Sequence, residues 1–167
     1  MLSFIMIGTS EGLLSYLEDE DESFRIHGLT ELIRIVDKEW AQIADKISII
    51  KELANNDQFS GHHIAAGLAS RTLYYTGNLR DSVNYALKAN DCFDIHKTDP
   101  YSNTLISQTI FEYSTYVNTH QTPPESLSNA IQQILDNFLK DGKFDQVLAL
   151  GIECRSLSHI KSALEGS

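Results

Sequence analysis

Apolar residues recur every three or four positions along most of this chain, the spacing that places them on one face of an α-helix. The longest such series predicts one continuous helix with a buried stripe: Trp40, Ile43, Ile47, Ile50 and Ala54. The polar run Asn55-Asn56-Asp57 ends this helix. No segment shows sustained alternation of apolar and polar residues, which is typical of β-strands. The chain is therefore predicted to be all-α, with about nine antiparallel helices in pairs.

Comparable series predict the helices on either side, and Ser10 is expected to cap the first of them. The predicted buried residues are Leu13, Leu14 and Leu17 in a first helix; Phe24, Leu29, Leu32, Ile33 and Val36 in a second, over residues 23–36; Ile106, Ile110, Tyr113 and Val117; Ile131, Ile134, Leu135 and Phe138; and Phe144, Val147, Leu148 and Ile152. A short last helix is predicted over residues 158–164. Residues 94–100 and 119–126 are predicted connections, the second because it contains Pro123-Pro124.

The chain is organised around residues 65–93, which predict two helices folded against each other. Their inward stripes are Ala65, Leu68, Ala69 and Leu73 in the first helix and Leu79, Val83, Ala86 and Ala89 in the second. Gly77 lies between them and is predicted to close the first helix with a positive φ angle, where a Cβ atom would be strained. Asn78 suits the cap of the returning helix. Small residues such as Ala69 and Ser82 predict that the two backbones approach closely.

The same arrangement recurs around Gly142, 65 residues after Gly77 (142 − 77). This interval is close to two units of the ~34-residue tetratricopeptide repeat. The recurrence predicts a tetratricopeptide-like α-solenoid, in which helix pairs stack into an elongated, rod-like single domain covering residues 1–167. Ile160 and Leu164 in the last helix have no following helix to cover them, so the chain is expected to be an N-terminal fragment of a longer protein.

Charge and composition narrow the class of partner. The chain has 23 acidic and 13 basic residues and a net charge of −10, which argues against nucleic acid and favours protein partners with basic patches. The acidic residues 18–22 are interpreted as a solvated turn whose last members favour the N-terminus of the next helix. The N-terminal MLSFIMIGTS is too short for a membrane span and lacks the basic start of a signal peptide. A cytoplasmic or nuclear protein is therefore expected, with Cys92 and Cys154 reduced.

Few residues suggest a catalytic or metal-binding role. His62 and His63 are adjacent and would point about 100° apart on a helix, so a role at a helix start is favoured over metal binding. Cys92 and His96 could supply two metal ligands, but no second pair has zinc-finger spacing. No phosphate-binding glycine loop, nucleophile elbow or dinucleotide fingerprint is present. The sequence predicts no enzyme, no catalytic, metal or cofactor-binding residue, and no small-molecule or membrane partner.

Four stretches, in this order, carry a resemblance to a known family: Gly12-Leu13-Leu14-x-x-Leu17-Glu18-Asp19-Glu20-Asp21, Trp40-Ala41-x-Ile43, Ala65-Ala66-x-Leu68-Ala69-Ser70, and Ser82-x-Asn84-Tyr85-Ala86-Leu87-x-Ala89-x-Asp91-x-Phe93. Over residues 11–157 the chain resembles the N-terminal region of the largest non-ATPase base subunit of the 26S proteasome regulatory particle. The resemblance is clearest over residues 65–93. Residues 1–7 depart from the more polar start of that family.

The resemblance implies a non-catalytic scaffold of ubiquitin-dependent protein degradation, whose N-terminal part is a rod of paired helices. Its partners would be other regulatory-particle subunits, and its location the cytoplasm and nucleus. The family's known binding residues fall beyond Ser167, so no protein-binding residue is carried over. The alternative is an autonomous tetratricopeptide-like adaptor that captures peptides in a concave groove lined by Asn, Lys or Arg. Arg71, Asn78 and Asn84 are the candidates for that groove, and Tyr74 and Tyr75 could line it.

Overall fold

The computed structural model describes residues 9–89, 97 and 99–166. This part of the chain contains nine α-helices, one short 3-10 helix at Tyr16–Glu18 and no β-strand. The helices are α1 (Ser10–Ser15), α2 (Glu22–Ala44), α3 (Ile47–Asn55), α4 (His62–Tyr75), α5 (Leu79–Lys88), α6 (Pro100–Asn118), α7 (Glu125–Lys140), α8 (Phe144–Glu153) and α9 (Leu157–Gly166). The predicted all-α class is confirmed.

The chain divides into two compact units, Met1–Asp91 (unit 1) and Cys92–Ser167 (unit 2). The single rod-like domain over residues 1–167 stays a prediction. The predictions that involve residues 1–7, Cys92, Asp94 and His96 lie outside the described residues.

The turn at Gly77 joins α4 to α5 as predicted. Gly77 has a φ of 80°. The Asn78 amide donates to the Leu73 carbonyl at 2.9 Å and the Gly77 amide to the Tyr74 carbonyl at 3.1 Å, the two bonds of a Schellman motif. The Asn78 side chain then accepts from the Asp81 amide at 3.3 Å and caps α5. One glycine therefore ends one helix and positions the start of the next.

The same turn joins α7 to α8 at Gly142, which has a φ of 69°. Here the Lys143 amide donates to the Phe138 carbonyl at 2.9 Å. Gly77 and Gly142 therefore adopt the same backbone turn, and the recurrence of this turn that the sequence predicts is confirmed. Two further helix ends in unit 2 adopt the same geometry at residues that are not glycine, His120 (φ 56°) and Arg155 (φ 53°).

In unit 1, polar contacts join helices that are not consecutive in the chain. The Lys51 ammonium lies 3.3 Å from an Asp81 carboxylate oxygen, and the Asn55 amide donates to the Tyr85 hydroxyl at 3.2 Å. Both contacts join α3 to α5 between residues 30 positions apart. Asp37 likewise joins α2 to α4 through Tyr75 and Arg71. These polar contacts fix α5 against α3 and α4 against α2.

The core of unit 1 combines large aliphatic side chains from α2 and α3 with small residues on α4 and α5. The fully buried members are Leu29, Leu32, Val36, Ile43, Ile50, Ala65, Ala66, Leu68, Ala69 and Ala86. Between α4 and α5, Ser70 and Ser82 are also fully buried, and each hydroxyl donates to the other residue's carbonyl at 2.7 Å. Only small side chains allow this reciprocal contact, so the predicted close approach of the two helices is confirmed.

Helix boundaries in the first half differ from the prediction. Thr9, not Ser10, caps α1, since its hydroxyl accepts from the Gly12 amide at 3.2 Å. The predicted continuous helix from Trp40 to Ala54 is wrong, because α2 runs on to Ala44 through a kink at Glu39 (φ −110°, ψ 15°) and a new helix begins at Ile47. The apolar spacing continues across this break, so periodicity could not reveal it.

Several residues predicted to be buried are not. Phe24 is 47% exposed and stacks on Tyr16, and Ile152 is 67% exposed. In α6 the predicted stripe, which includes Ile106 and Ile110, is only half-buried, whereas Tyr101, Leu105, Thr109 and Ser114 are buried. The two stripes are adjacent on the same helix, and the spacing of apolar residues alone did not distinguish them.

Candidate functional site

The histidine pair lies at the start of α4, as predicted. The His62 Nδ1 atom lies 2.7 Å from the Phe59 carbonyl, and the His63 Nδ1 atom lies 2.8 Å from the Lys88 carbonyl. A carbonyl can only accept, so both Nδ1 atoms are donors and are occupied by the backbone. Among the described residues, no group of three or more His, Cys, Asp or Glu side chains could hold a metal ion.

Cys154 is a free, buried thiol at the end of α8. Burial raises its pKa to about 11, and the nearby Glu153 carboxylate adds to this effect. The thiol is therefore protonated at neutral pH, whereas nucleophilic cysteines have a lowered pKa. Cys154 is a structural residue of the core of unit 2.

A serine, a histidine and an aspartate in unit 2 form a chain of hydrogen bonds that sequence reasoning missed. Ser156 Oγ lies 2.8 Å from His159 Nδ1, and His159 Nε2 lies 3.0 Å from Asp136 Oδ1. The three residue types are those of hydrolase triads, but here Ser156 directly precedes α9 and His159 is only 7% exposed. His159 thus links the start of α9 to α7, and we interpret the chain as structural. The signal in the sequence was a serine three residues before a histidine at a helix start.

Half-exposed aromatic rings in unit 1 form a cluster between α2 and α4. Trp40 stacks on Tyr75 with ring centroids 6.0 Å apart, and Tyr74 meets Tyr75 edge-on at 5.0 Å. The Tyr75 hydroxyl donates to Asp37 at 2.9 Å, and Arg71 lies 3.6 Å from the same carboxylate. Burial raises the pKa of Tyr75, and the Asp37 hydrogen bond raises it further. Trp, Tyr and Arg are the residues most enriched at the centres of protein interfaces.

Two of the three residues proposed for a peptide-binding groove are engaged in contacts within the chain. Arg71 pairs with Asp37. Asn78 caps α5, and Asn84 is exposed on α5. These contacts do not favour the adaptor alternative.

The acidic residues 18–22 are only partly a solvated turn. Asp21 caps α2 by accepting from the Ser23 amide at 2.9 Å, and hydrogen bonds from Ser23 lower its pKa. Glu22 accepts from the Ser60 amide at 2.8 Å and also from the Ser60 hydroxyl, and these bonds lower the pKa of Glu22. The predicted preference of the last acidic residues for the helix start is confirmed, but Glu22 in addition joins α2 to the turn before α4.

Unit 2 contains an open groove between α6 and α8, with a volume of about 560 Å³. Ile106 and Ile110 line it from α6, Ala149 and Leu150 from α8, and Phe138 from α7. Beyond the groove, the Ser114 hydroxyl donates to Glu153 at 3.1 Å and ties α6 to α8. Two residues of the α6 stripe that was predicted to be core, Ile106 and Ile110, thus line this groove.

These features define the class of protein: an all-α protein in which glycine turns join α4 to α5 and α7 to α8, and polar clusters hold helices together. Among the described helices, none is long and apolar enough to cross a membrane. Residues 8–167 match the family described as "26S proteasome subunit RPN2, N-terminal domain", and the chain belongs to this family.

Related proteins in distant organisms agree with the assignment. The chain is 35% identical over 167 residues to the 26S proteasome non-ATPase regulatory subunit 1 homolog B of Arabidopsis thaliana. It is 28% identical to the Drosophila melanogaster 26S proteasome non-ATPase regulatory subunit 1 and 28% identical to the 26S proteasome regulatory subunit RPN2 of Saccharomyces cerevisiae. These alignments cover 95%, 93% and 94% of the chain but 17%, 16% and 18% of the relatives. The chain therefore spans about a sixth of their length.

Proposed function

We propose that this chain is an N-terminal scaffold segment of a proteasome regulatory subunit, and that it contacts other regulatory-particle subunits without catalysing a reaction. The observation that carries the proposal is the family match over residues 8–167. The relatives are regulatory subunits of the 26S proteasome, so the process would be ubiquitin-dependent protein degradation. The location proposed is the cytoplasm and nucleus.

The physical role proposed is to hold contact residues at fixed positions. In unit 1, polar contacts between α3 and α5 and the buried bonds between Ser70 and Ser82 hold neighbouring helices together. A rigid element reduces the conformational entropy that a contact residue loses on binding. The aromatic cluster around Trp40 and Tyr75 is the surface of unit 1 that we assign to protein contact, because Trp, Tyr and Arg are enriched among the residues that dominate binding at protein interfaces.

A chimera tests the scaffold proposal. This chain would replace the matching segment, 18% of the length, of the Saccharomyces cerevisiae subunit. We expect the chimera to enter the regulatory particle on native gels and in affinity purification, whereas a deletion of the segment should not. A folded chimera that stays outside the particle would overturn the proposal. Trp40→Ala in the chimera should weaken incorporation. The matched control is Phe111→Ala, which truncates an aromatic residue of unit 2 that is 62% exposed.

Catalysis is tested separately on the isolated chain. Peptidase and ATPase assays should show no turnover, and a fluorophosphonate probe for activated serines should leave Ser156 unlabelled. Turnover that disappears in Ser156→Ala or His159→Asn would contradict the non-catalytic proposal. It would also show that the hydrogen-bonded chain Ser156–His159–Asp136 is more than structural.

A further inference from the structure

The two histidines at the start of α4 lie side by side, although adjacent residues on a helix point about 100° apart. The centroids of the His62 and His63 rings are 3.9 Å apart, and the ring planes meet at 41°. His63 is exposed and His62 is half-buried. The side chains therefore do not keep the angular separation that disfavoured a shared ligand, and the two imidazoles form one pair at the surface of unit 1.

The hydrogen bonds of the pair fix which nitrogen of each ring carries a lone pair. The Nδ1 atoms donate to the carbonyls of Phe59 and Lys88, at 2.7 and 2.8 Å. A neutral imidazole has one N–H, so the proton is on Nδ1 and the lone pair is on Nε2. Among the described residues, no hydrogen-bond donor contacts either Nε2 atom. Two neighbouring rings thus each present an unprotonated nitrogen.

This arrangement is typical of histidines that bind metal ions. A metal-bound imidazole almost always donates its other N–H to a carbonyl, a carboxylate or water, and this bond orients the ring and raises the basicity of the ligand. His62 and His63 each have such a carbonyl. Lys88 is the last residue of α5, so the His63 ring is held between the start of one helix and the end of another.

We propose that His62 and His63 bind one Zn²⁺ ion, or a chemically similar divalent transition-metal ion, through their Nε2 atoms. Imidazole nitrogen suits Zn²⁺, Cu²⁺ and Ni²⁺, whereas Mg²⁺ and Ca²⁺ prefer oxygen ligands. The positive end of the α4 dipole opposes a cation, but solvent screens this effect at an exposed site, and the net charge of −10 acts in the opposite direction. Structural zinc sites have four protein ligands, so a site with two is bound to the folded chain and does not support the fold.

Zinc chloride titrated into the whole chain tests the site. Calorimetry in a buffer that does not bind metals should show one ion bound per chain. His62→Asn and His63→Asn should each weaken binding at least about tenfold, because even the loss of a group that only orients a ligand costs about 10- to 100-fold. Asparagine keeps an N–H donor near the position of Nδ1 and removes Nε2. The matched control is His27→Asn, which changes an exposed histidine on α2 and should leave the affinity unchanged.

Long-range proton–nitrogen NMR spectra identify the nitrogen that binds. Both rings should carry their proton on Nδ1 before zinc is added, and zinc should shift the Nε2 resonance of both. No binding, binding through Nδ1 or through one ring only, or an unchanged affinity in His63→Asn would overturn the proposal. So would zinc binding that Cys92→Ser abolishes and His63→Asn does not, since the ion would then be held outside the described residues. None of these results would affect the incorporation of the chimera, which tests the scaffold function independently.

Discussion

At the scale of single residues, backbone conformation at a few positions decides where helices end. Gly77 and Gly142 have positive φ angles, and the sequence predicts both. His120 and Arg155 have positive φ angles as well and close α6 and α8 with the same pair of backbone bonds. A side chain with a Cβ is strained in this region, so the surrounding helices must compensate for that cost at His120 and Arg155.

Two glycine substitutions separate backbone strain from side-chain packing. No atom lies within 4 Å of a Cβ added at Gly77, so Gly77→Ala tests the positive φ alone and should lower the free energy of unfolding by about 1 kcal/mol. Gly67 lies inside α4, where an added Cβ would meet Ile33 and Ala89 at 3.7 and 3.9 Å, ordinary contact distances. Gly67→Ala should therefore raise the free energy of unfolding, by up to about 1 kcal/mol. Urea denaturation measures both, and an unchanged stability of Gly77→Ala would show that the turn tolerates a side chain.

The buried thiol predicts low chemical reactivity. In a Cys92→Ser background, Cys154 should react with a thiol reagent at pH 8 many times more slowly in the folded chain than in urea, because burial raises its pKa to about 11. A raised pKa contributes stability that is present below the ordinary value of 9.0 and is lost as the pH rises towards 11. Equal rates with and without urea would mean that the thiol is accessible.

At the scale of helices, the spacing of apolar residues predicted which face of each helix is apolar but not how far the residues on that face are buried. Trp40 was predicted to be buried in the stripe of a continuous helix, yet it is 36% exposed and lies just after the kink at Glu39. Its principal aromatic contact is the stack on Tyr75. Leu32, which precedes Trp40 on the same helix, is fully buried. Truncation of Trp40 therefore removes an aromatic stack at the surface, whereas truncation of Leu32 removes a fully buried side chain.

Truncation of these two residues should have unequal effects on stability. Trp40→Ala removes one aromatic stack and part of an exposed ring, and we expect a cost of about 1–2 kcal/mol. Leu32→Ala leaves a cavity in the core of unit 1 and should cost about 2–5 kcal/mol. Denaturant midpoints measured by circular dichroism compare them directly. If Trp40→Ala costs as much as Leu32→Ala, the tryptophan supports the core more than its exposure suggests.

Charge reversal at two nearby acidic residues, Glu20 and Glu22, should have different effects on the melting temperature. Glu22→Lys breaks the bonds from Ser60 and should lower the melting temperature, whereas Glu20→Lys changes an exposed side chain and should leave it unchanged. The pKa of Glu22 is lowered, so its contribution is present above the ordinary value of 4.5 and is lost as the pH falls below it. The stability difference between the native chain and Glu22→Gln should shrink accordingly in acid. A difference that is independent of pH would exclude the carboxylate as its source.

At the scale of the whole molecule, the described residues are held together by apolar packing and hydrogen bonds within each unit. The core cluster of unit 1 and the contacts between its helix pairs involve only its own residues. In unit 2, α7 is linked to α9 through His159, and α6 to α8 through Ser114 and Glu153. No described group of side chains has the composition of a structural metal site.

Folding should therefore be independent of metal ions. Excess chelator should leave the helical circular dichroism signal and the melting temperature of the chain unchanged. The measurement includes Cys92 and His96, which lie outside the described residues. A loss of helicity that added zinc restores would show that these residues, or the histidine pair at the start of α4, take part in a metal site after all.

The sequence by itself determined the all-α class, the helix pair α4/α5, the two glycine turns and the family. These depend on local backbone preferences and on the spacing of apolar residues, which act within a few positions of the chain. The tertiary structure alone decided which apolar face met another helix and which stayed open. Trp40, Ile106 and Ile110 satisfy the helical pattern as well as Leu32 does, but burial depends on whether a neighbouring helix is present at that place. The contacts of Glu22 with Ser60 and of His159 with Asp136 join residues distant in the chain, so no local pattern could have predicted them.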